Sequence, residues 1–281
     1  MKLVDSVSKM SMLSRILKKE GKSIGFVPTM GYLHEGHMGL VKVAKKHTDV
    51  VVMSIFVNPL QFGPKEDYEC YPRDFKHDEK IANEAGVDII FYPSVKEMYP
   101  EGYATYVEVE RLTGGLCGAS RPGHFRGVTT VVAKLFEIVK PDVAYFGQKD
   151  AQQAAVIGKM ARDLNMSVEI KTIAIVREKD GLAMSSRNVN LSEAERGDAL
   201  VLYQSLRKAE SLVAGGERDA RRIMKAMREM ISQKPSVKIE YVSIVDAKEL
   251  VEVDLISKEA LVAVAARVGK TRLIDNIIVK A

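Results

Sequence analysis

Between residue 22 and about residue 175, short apolar runs alternate with longer helix-periodic stretches, and nothing else in the chain constrains its fold as tightly. The runs Ser23–Pro28, Val50–Val57, Val87–Tyr92, Val143–Phe146 and Val168–Ile175 are rich in β-branched or aromatic residues and are bounded by Gly, Pro, Asn or Asp, as buried strands are. Helical periodicity occupies 36–47, 74–85, 126–140 and 150–164, and an amphipathic pattern at 10–19 sets Met12, Leu13, Ile16 and Leu17 against Arg15, Lys18 and Lys19. Strands joined through helices run parallel, and the helices cover the sheet. The spacing therefore predicts an α/β fold with a doubly wound parallel sheet over residues 1–175.

The texture changes at about residue 176. Ser192 followed by Glu195 forms a capping-box signature that opens a helix through about Ala214. Gly215-Gly216 ends it, a second helix runs to about Ser232, and Pro235 follows. Strand-like runs come next at Lys238–Val245, Leu261–Val268 and Thr271–Ile274, with Gly269-Lys270 as a hairpin turn. Residues 176–281 read as a smaller C-terminal α+β domain, entered through the segment Val176–Asn190.

Composition excludes more than it selects. Hydrophobic residues at 46% and charged residues at 28% belong to an ordinary globular chain, not a disordered one. No apolar run reaches the length of a membrane span, and no signal-peptide pattern opens the chain. The two cysteines, Cys70 and Cys117, have no metal-like spacing and fit a reducing compartment, so a cytoplasmic address is expected. The charge of +5 suits an anionic small substrate as well as nucleic acid. The densest basic run, Arg218 to Arg228, reads as the solvated face of an amphipathic helix containing Ile223, Met224 and Met227. It lacks the interleaved aromatics that stack bases; neither nucleic acid nor membrane is expected as a partner.

A parallel sheet of this kind binds ligands beyond the carboxyl ends of its strands, so motifs just after strands carry most weight. Pro28-Thr29-Met30-Gly31-Tyr32-Leu33-His34-Glu35-Gly36-His37 follows the first strand and opens a helix, whose N-terminus favours anions. His34 and His37, three residues apart, can share one side of the first turn and donate to triphosphate oxygens as charge builds on a departing pyrophosphate. Gly36 permits close backbone approach. A zinc protease site needs His-Glu-x-x-His, which this is not.

Phe56 to Gly63 follows the next strand and places the amides of Asn58 and Gln61 at the crevice, where they can bond hydroxyls or carboxylates without adding charge. Gly147-Gln148-Lys149-Asp150 follows a later strand. Lys149 can neutralise phosphate, and Asp150 can either cap a helix or hold a ribose or metal. Met184-Ser185-Ser186-Arg187 sets two hydroxyls and a guanidinium on an interdomain stretch suited to a flexible lid over phosphates. In Arg121-Pro122-Gly123-His124, either carboxylate binding or loop bracing is open to His124.

These motifs, in this order and across essentially the whole length, resemble the pantoate–β-alanine ligase (pantothenate synthetase) family: PTMGYLHEGH, FVNPLQFG, YPRD, RPGHFRGV, YFGQKD followed by Gln152-Gln153, and DGLAMSSRN. The family belongs to the His-x-Gly-His nucleotidyltransferases. The resemblance implies a Rossmann-like N-terminal domain and ATP-driven condensation of pantoate with β-alanine through a pantoyl adenylate, releasing AMP and pyrophosphate. It implies that Met30, Gly31, Tyr32, Leu33, His34, Glu35, Gly36 and His37 line the ATP site, with His37 as proton donor. Gly147, Gln148, Lys149, Asp150, Val176, Met184, Ser185, Ser186 and Arg187 would also contact ATP. Gln61 would hold pantoate and β-alanine, and Gln153 pantoate, with Asn58 beside them. Mg2+ is expected with ATP; its ligands are not identified, Asp74 and Asp78 being candidates. A homodimer formed through the N-terminal domain is also implied. The alternative is another His-x-Gly-His nucleotidyltransferase acting on a cofactor precursor.

Overall fold

The computed structural model describes residues 1–64 and 66–281. The chain forms two compact units, Met1–Glu110 with Arg121–Gln148 and Gln153–Ala174, and Arg111–Ser120 with Lys149–Gln152 and Ile175–Ala281.

The first unit is built on a six-stranded parallel sheet of β1 (Lys2–Val4), β2 (Ile24–Thr29), β3 (Val50–Ile55), β4 (Ile89–Phe91), β5 (Val143–Gly147) and β6 (Glu169–Ile173), in the order β1-β4-β3-β2-β5-β6. The helices are α1 (Val7–Lys19), α2 (Glu35–His47), α3 (Phe75–Glu84), the short α4 (Val95–Met98), α6 (His124–Val139) and most of α7 (Ala151–Asp163); α5 (Leu116–Ser120) lies in the second unit. Neighbouring residues of β2 serve opposite faces, as the strand period requires. Val27 joins Leu40, Val41 and Ala44 of α2 and Ala82 of α3 in one core, while Phe26 packs edge-on against Phe136 of α6. Strand β1 has only three residues, too few for a periodic signal, and it is absent from the sequence reading. Strand order reverses between β2 and β5, which pair through Gly25↔Val143 and Phe26↔Ala144. A ligand crevice is expected beyond the carboxyl ends of those two strands.

The second unit packs α8 (Glu193–Ala214) and α9 (Ala220–Ile231) on an antiparallel sheet of β7 (Val237–Asp246), β8 (Glu259–Val268) and β9 (Thr271–Lys280). Ser192 and Glu195 cap α8 reciprocally. Val268 pairs with Thr271 across the two-residue turn. The division does not fall at one point in the chain. Residues 111–120 and 149–152 belong to this unit because Gln152 ties them together, accepting from the Cys117 N–H and donating to the Leu112 and Gly115 carbonyls, each at 2.9 Å. Strand β9 also runs to Lys280, beyond the expected Thr271–Ile274, because Asp275 and Asn276, turn-forming by composition, stay in the ladder opposite Val264 and Ala263. Among the described residues no helix is long and apolar enough to cross a membrane.

Candidate active site

The turn leaving β2 carries the histidine pair. Gly31 and Tyr32 hold positive φ, 86° and 49°, and reverse the chain so that α2 starts beyond the sheet edge. A Cβ at Gly31 would sit 2.8 Å from Asp78 Oδ2, so glycine supplies both the conformation and the space.

His34 is the N-cap of α2. Its Nδ1 accepts the Gly36 N–H at 3.1 Å, while His37 Nδ1 accepts the His34 N–H at 3.2 Å. Two imidazoles thus do what Ser and Glu do in an ordinary capping box. A ring nitrogen that accepts a hydrogen bond carries no proton, so in each neutral ring the proton is on Nε2. The rings lie 4.1 Å apart between centroids, tilted by 37°, and present two N–H donors at the positive end of a helix. Glu35 is exposed and Leu33 belongs to the core.

Asp78 of α3 holds this turn from below. It is 1% exposed; its Oδ2 accepts the Tyr32 N–H at 2.9 Å and its Oδ1 the Leu33 N–H at 2.6 Å. Burial pushes its carboxyl up, against the pull of those two N–H groups and of His77. His77 stacks on Tyr32, and its Nε2 lies 3.2 Å from the Leu33 carbonyl oxygen. Asp74 accepts the His77 N–H at 3.0 Å as the cap of α3. Asp78 is structural, with both oxygens engaged by the turn, while Asp74 caps α3 through Oδ1 and is exposed. Among the described residues no group of three or more His, Cys, Asp or Glu is placed to hold a metal.

Gln61 follows β3 and meets Met30, its Nε2 donating to the Met30 sulfur at 3.1 Å. Asn58 does not face a ligand as the sequence led us to expect. It is 1% exposed, donates to Gln61 Oε1 and the Gly127 carbonyl, and accepts from the Leu60 N–H and the Tyr99 hydroxyl. All four hydrogen-bonding positions of its amide are filled, so it orients Gln61. The alternatives left open for His124 resolve as bracing. Its Nδ1–H donates to the Gln61 carbonyl at 2.8 Å, and Arg121 donates to its Nε2 at 3.0 Å. Arg121 also donates to the Gln61 carbonyl at 3.2 Å and makes a two-pronged pair with Glu66 at 2.7 and 2.6 Å. Burial raises the Glu66 carboxyl, but Arg121 and the Gly63 N–H outweigh it and hold the group below the ordinary glutamate range. At Gly127 a Cβ would lie 2.1 Å from the Leu60 carbonyl oxygen, so α6 approaches this turn backbone to backbone.

The remaining candidates divide between the units. Gly147 closes β5, Gln148 begins the 3₁₀ turn Gln148–Asp150, and Gln153 sits half-buried on α7. In the second unit Lys149 pairs with the exposed Asp150 at 3.7 Å. Val176 and Met184 are brought together, the Met184 N–H donating to the Val176 carbonyl at 3.0 Å. Ser185 caps the 3₁₀ turn Ser186–Asn190 by accepting the Arg187 N–H, and Ser186 is buried. The segment expected to be flexible is held at several points. Arg177 grips Asp275 through two hydrogen bonds, 2.7 and 3.0 Å, and lies 4.0 Å over the Tyr203 ring. Arg196 bridges Glu178 and Asp180 at 2.7 and 2.6 Å, and Asn188 donates to Glu178 at 2.7 Å.

Sequence reasoning missed Asp78 as a brace, and missed Glu66, Tyr99, Asp275 and Asn276 altogether. Their partners lie 41 to 127 residues away along the chain, where no periodicity or motif can register them.

A doubly wound parallel sheet with an imidazole-capped helix at its switch point defines the class: a Rossmann-like α/β protein with a His-x-Gly-His helix start. A family model for pantoate-beta-alanine ligase matches residues 2–278. The chain is 59% identical over 280 residues to the pantothenate synthetase of Heliobacterium modesticaldum, covering 100% of both chains. It is equally 59% identical over 278 residues to that of Thermotoga petrophila, covering 99% of each. A crystal structure of pantothenate synthetase from Thermus thermophilus superposes with a TM-score of 0.94 at 46% identity, covering 99% of both chains. A pantoate-beta-alanine ligase from Francisella tularensis, complexed with beta-gamma ATP and beta-alanine, superposes with a TM-score of 0.83 at 34% identity, covering 99% of this chain and 97% of that one. The chain belongs to the pantoate–beta-alanine ligase family.

Proposed function

We propose that the protein condenses pantoate with β-alanine at the expense of ATP, through a pantoyl adenylate. The observation that carries this reading is the reciprocal His34–His37 cap, which commits two Nε2–H donors to the start of α2. A pantoate carboxylate oxygen attacks the α-phosphorus of ATP and pyrophosphate leaves. The two donors and the helix dipole bind phosphate oxygens more strongly as negative charge builds on the leaving group, which lowers the barrier. The β-alanine amine then attacks the adenylate's acyl carbon, its proton is lost to solvent, and AMP departs.

In this reading the backbone from Met30 to His37, with Gly147 and Gln148, forms the nucleotide side of the first unit. Gln61, oriented by Asn58, and Gln153 bind the acid. By the family resemblance, Lys149, Asp150, Val176 and Met184–Arg187 also contact ATP. Mg2+ entering with ATP would neutralise charge on the phosphates and the leaving pyrophosphate, and the exposed Asp74 would be its candidate side-chain ligand. In this tautomer His37 donates a hydrogen bond from Nε2 to the leaving pyrophosphate. Two free thiols, Cys70 and Cys117, accord with action in the cytoplasm, and two copies associate through the first unit, which light scattering would test.

The deciding experiment measures pyrophosphate release with ATP and pantoate alone, then adds β-alanine and identifies the products. AMP and pantothenate are expected only in the second stage. A nucleotide-linked product that accumulates without AMP would instead identify a nucleotidyltransferase acting on a cofactor precursor.

A further inference from the structure

Asp275 and Asn276 are consecutive residues of β9, each 4% exposed, in a sheet whose other buried positions are largely apolar. Consecutive strand residues face opposite sides of the sheet, so no single polar pocket accounts for both. A carboxylate and an amide buried in this way cost free energy unless each finds a partner. Both do, in segments far away in the chain. Asp275 takes both arms of the Arg177 guanidinium. Arg177 also donates to the Gly181 carbonyl at 3.1 Å, so one carboxylate holds both the start and the tip of the loop Val176–Met184. Asn276 donates from Nδ2 to the Lys149 carbonyl at 2.9 Å. The two anchors are joined, since the Asn276 N–H bonds Asp275 Oδ1 at 2.8 Å.

The geometry points to Asp275 and Asn276 as positioning residues for the ATP-dependent step. Asp275 sets the loop that leads into Met184–Arg187, and Asn276 sets the backbone from which the Lys149 side chain extends. This rests on the ATP contacts proposed above for Lys149 and Met184–Arg187. A buried ion pair adds little stability over apolar residues of the same size. A two-pronged guanidinium–carboxylate pair does impose direction on both partners, and small displacements of groups that orient a reactant are costly in rate.

The test uses the full chain with Asn276→Ala, Asn276→Asp, Asp275→Asn and Lys149→Ala, each checked by thermal unfolding. Pyrophosphate release is followed at varied ATP and at varied pantoate. Asn276→Ala is expected to raise KM for ATP and lower kcat, together about tenfold in kcat/KM, with KM for pantoate unchanged. Asn276→Asp, which keeps the size and loses the donor, should match it. In the Lys149→Ala background Asn276→Ala should add no further loss. Asp275→Asn should shift KM for ATP in the same sense; if that variant does not fold, the Asn276 pair decides alone. Wild-type ATP kinetics in Asn276→Ala, full activity in Asn276→Asp, or losses that add to those of Lys149→Ala would each overturn the inference. Lys149→Ala with undiminished ATP kinetics would overturn the underlying reading of Lys149, a distinguishable result.

Discussion

His37 Nδ1 accepts the backbone N–H of His34, and His34 Nδ1 accepts that of Gly36, at 3.2 and 3.1 Å. Each imidazole therefore works twice. One nitrogen completes the start of α2, and the other carries an N–H in the tautomer that the cap enforces. Structure and proposed chemistry are inseparable here, because protonating either ring at Nδ1 would break the cap that orients it.

Substitution tests that linkage. His37→Ala should slow the step about a hundredfold or more and lower stability by about 1 kcal/mol through loss of the cap, measured by single-turnover kinetics and denaturant titration.

Asp78→Asn retains the shape of the side chain but replaces one accepting oxygen with an N–H₂ group facing a backbone N–H. We expect reduced adenylation with KM for β-alanine unchanged, and a stability loss of about 1–3 kcal/mol, the cost of a buried donor without a partner. Gly31→Ala should be comparably damaging, because φ of 86° and a 2.8 Å approach to Asp78 act together. Wild-type melting in both variants would show that Asp78 does not hold the turn.

Gly127→Ala places a methyl group 2.1 Å from the Leu60 carbonyl oxygen and must separate α6 from the turn that carries Gln61. A loss of about 1–3 kcal/mol is expected from overpacking. Gln61→Ala leaves this contact intact and should raise KM for pantoate while sparing that for ATP. Steady-state kinetics of the two variants would separate support of the turn from direct contact with the acid.

Glu66 provides an acid-stability signature. Its folded pKa is depressed by Arg121 and the Gly63 N–H against the opposing effect of burial. Its contribution is therefore fully present above the ordinary glutamate value of about 4.3 and is lost as pH falls through the lower, folded value. Glu66→Gln should be less stable than the parent at pH 7, and the gap should narrow below about pH 4. A constant difference in denaturant midpoints across that range would remove Glu66 from the account.

Much of this architecture was legible in local pattern. The alternation after residue 22 gave five of the six parallel strands, and Ser192 with Glu195 marked the start of α8. His34 and His37 were recognisable because a helix start, two imidazoles and the glycines Gly31 and Gly36 sit close together in the chain. The amide of Asn58 looked identical in sequence to a ligand-binding one; only its four partners, one of them Tyr99 on a distant turn, reveal a brace. Asp275-Asn276 misled for the same reason, since their composition marks a strand end while their partners keep them in the sheet.

The sequence by itself determined a parallel sheet flanked by helices, the histidine-bearing helix start and, through the combined motifs, the family. Those properties depend on periodicity and short-range stereochemistry, which any local stretch of chain expresses. Tertiary structure alone decided which polar side chains are supports. Asp78 beneath the turn, Glu66 behind Arg121, and Asp275 with Asn276 behind Arg177 and Lys149 are defined by hydrogen bonds closed across dozens of residues. Such partners become neighbours only once the apolar faces have packed, and burial then makes each bond obligatory.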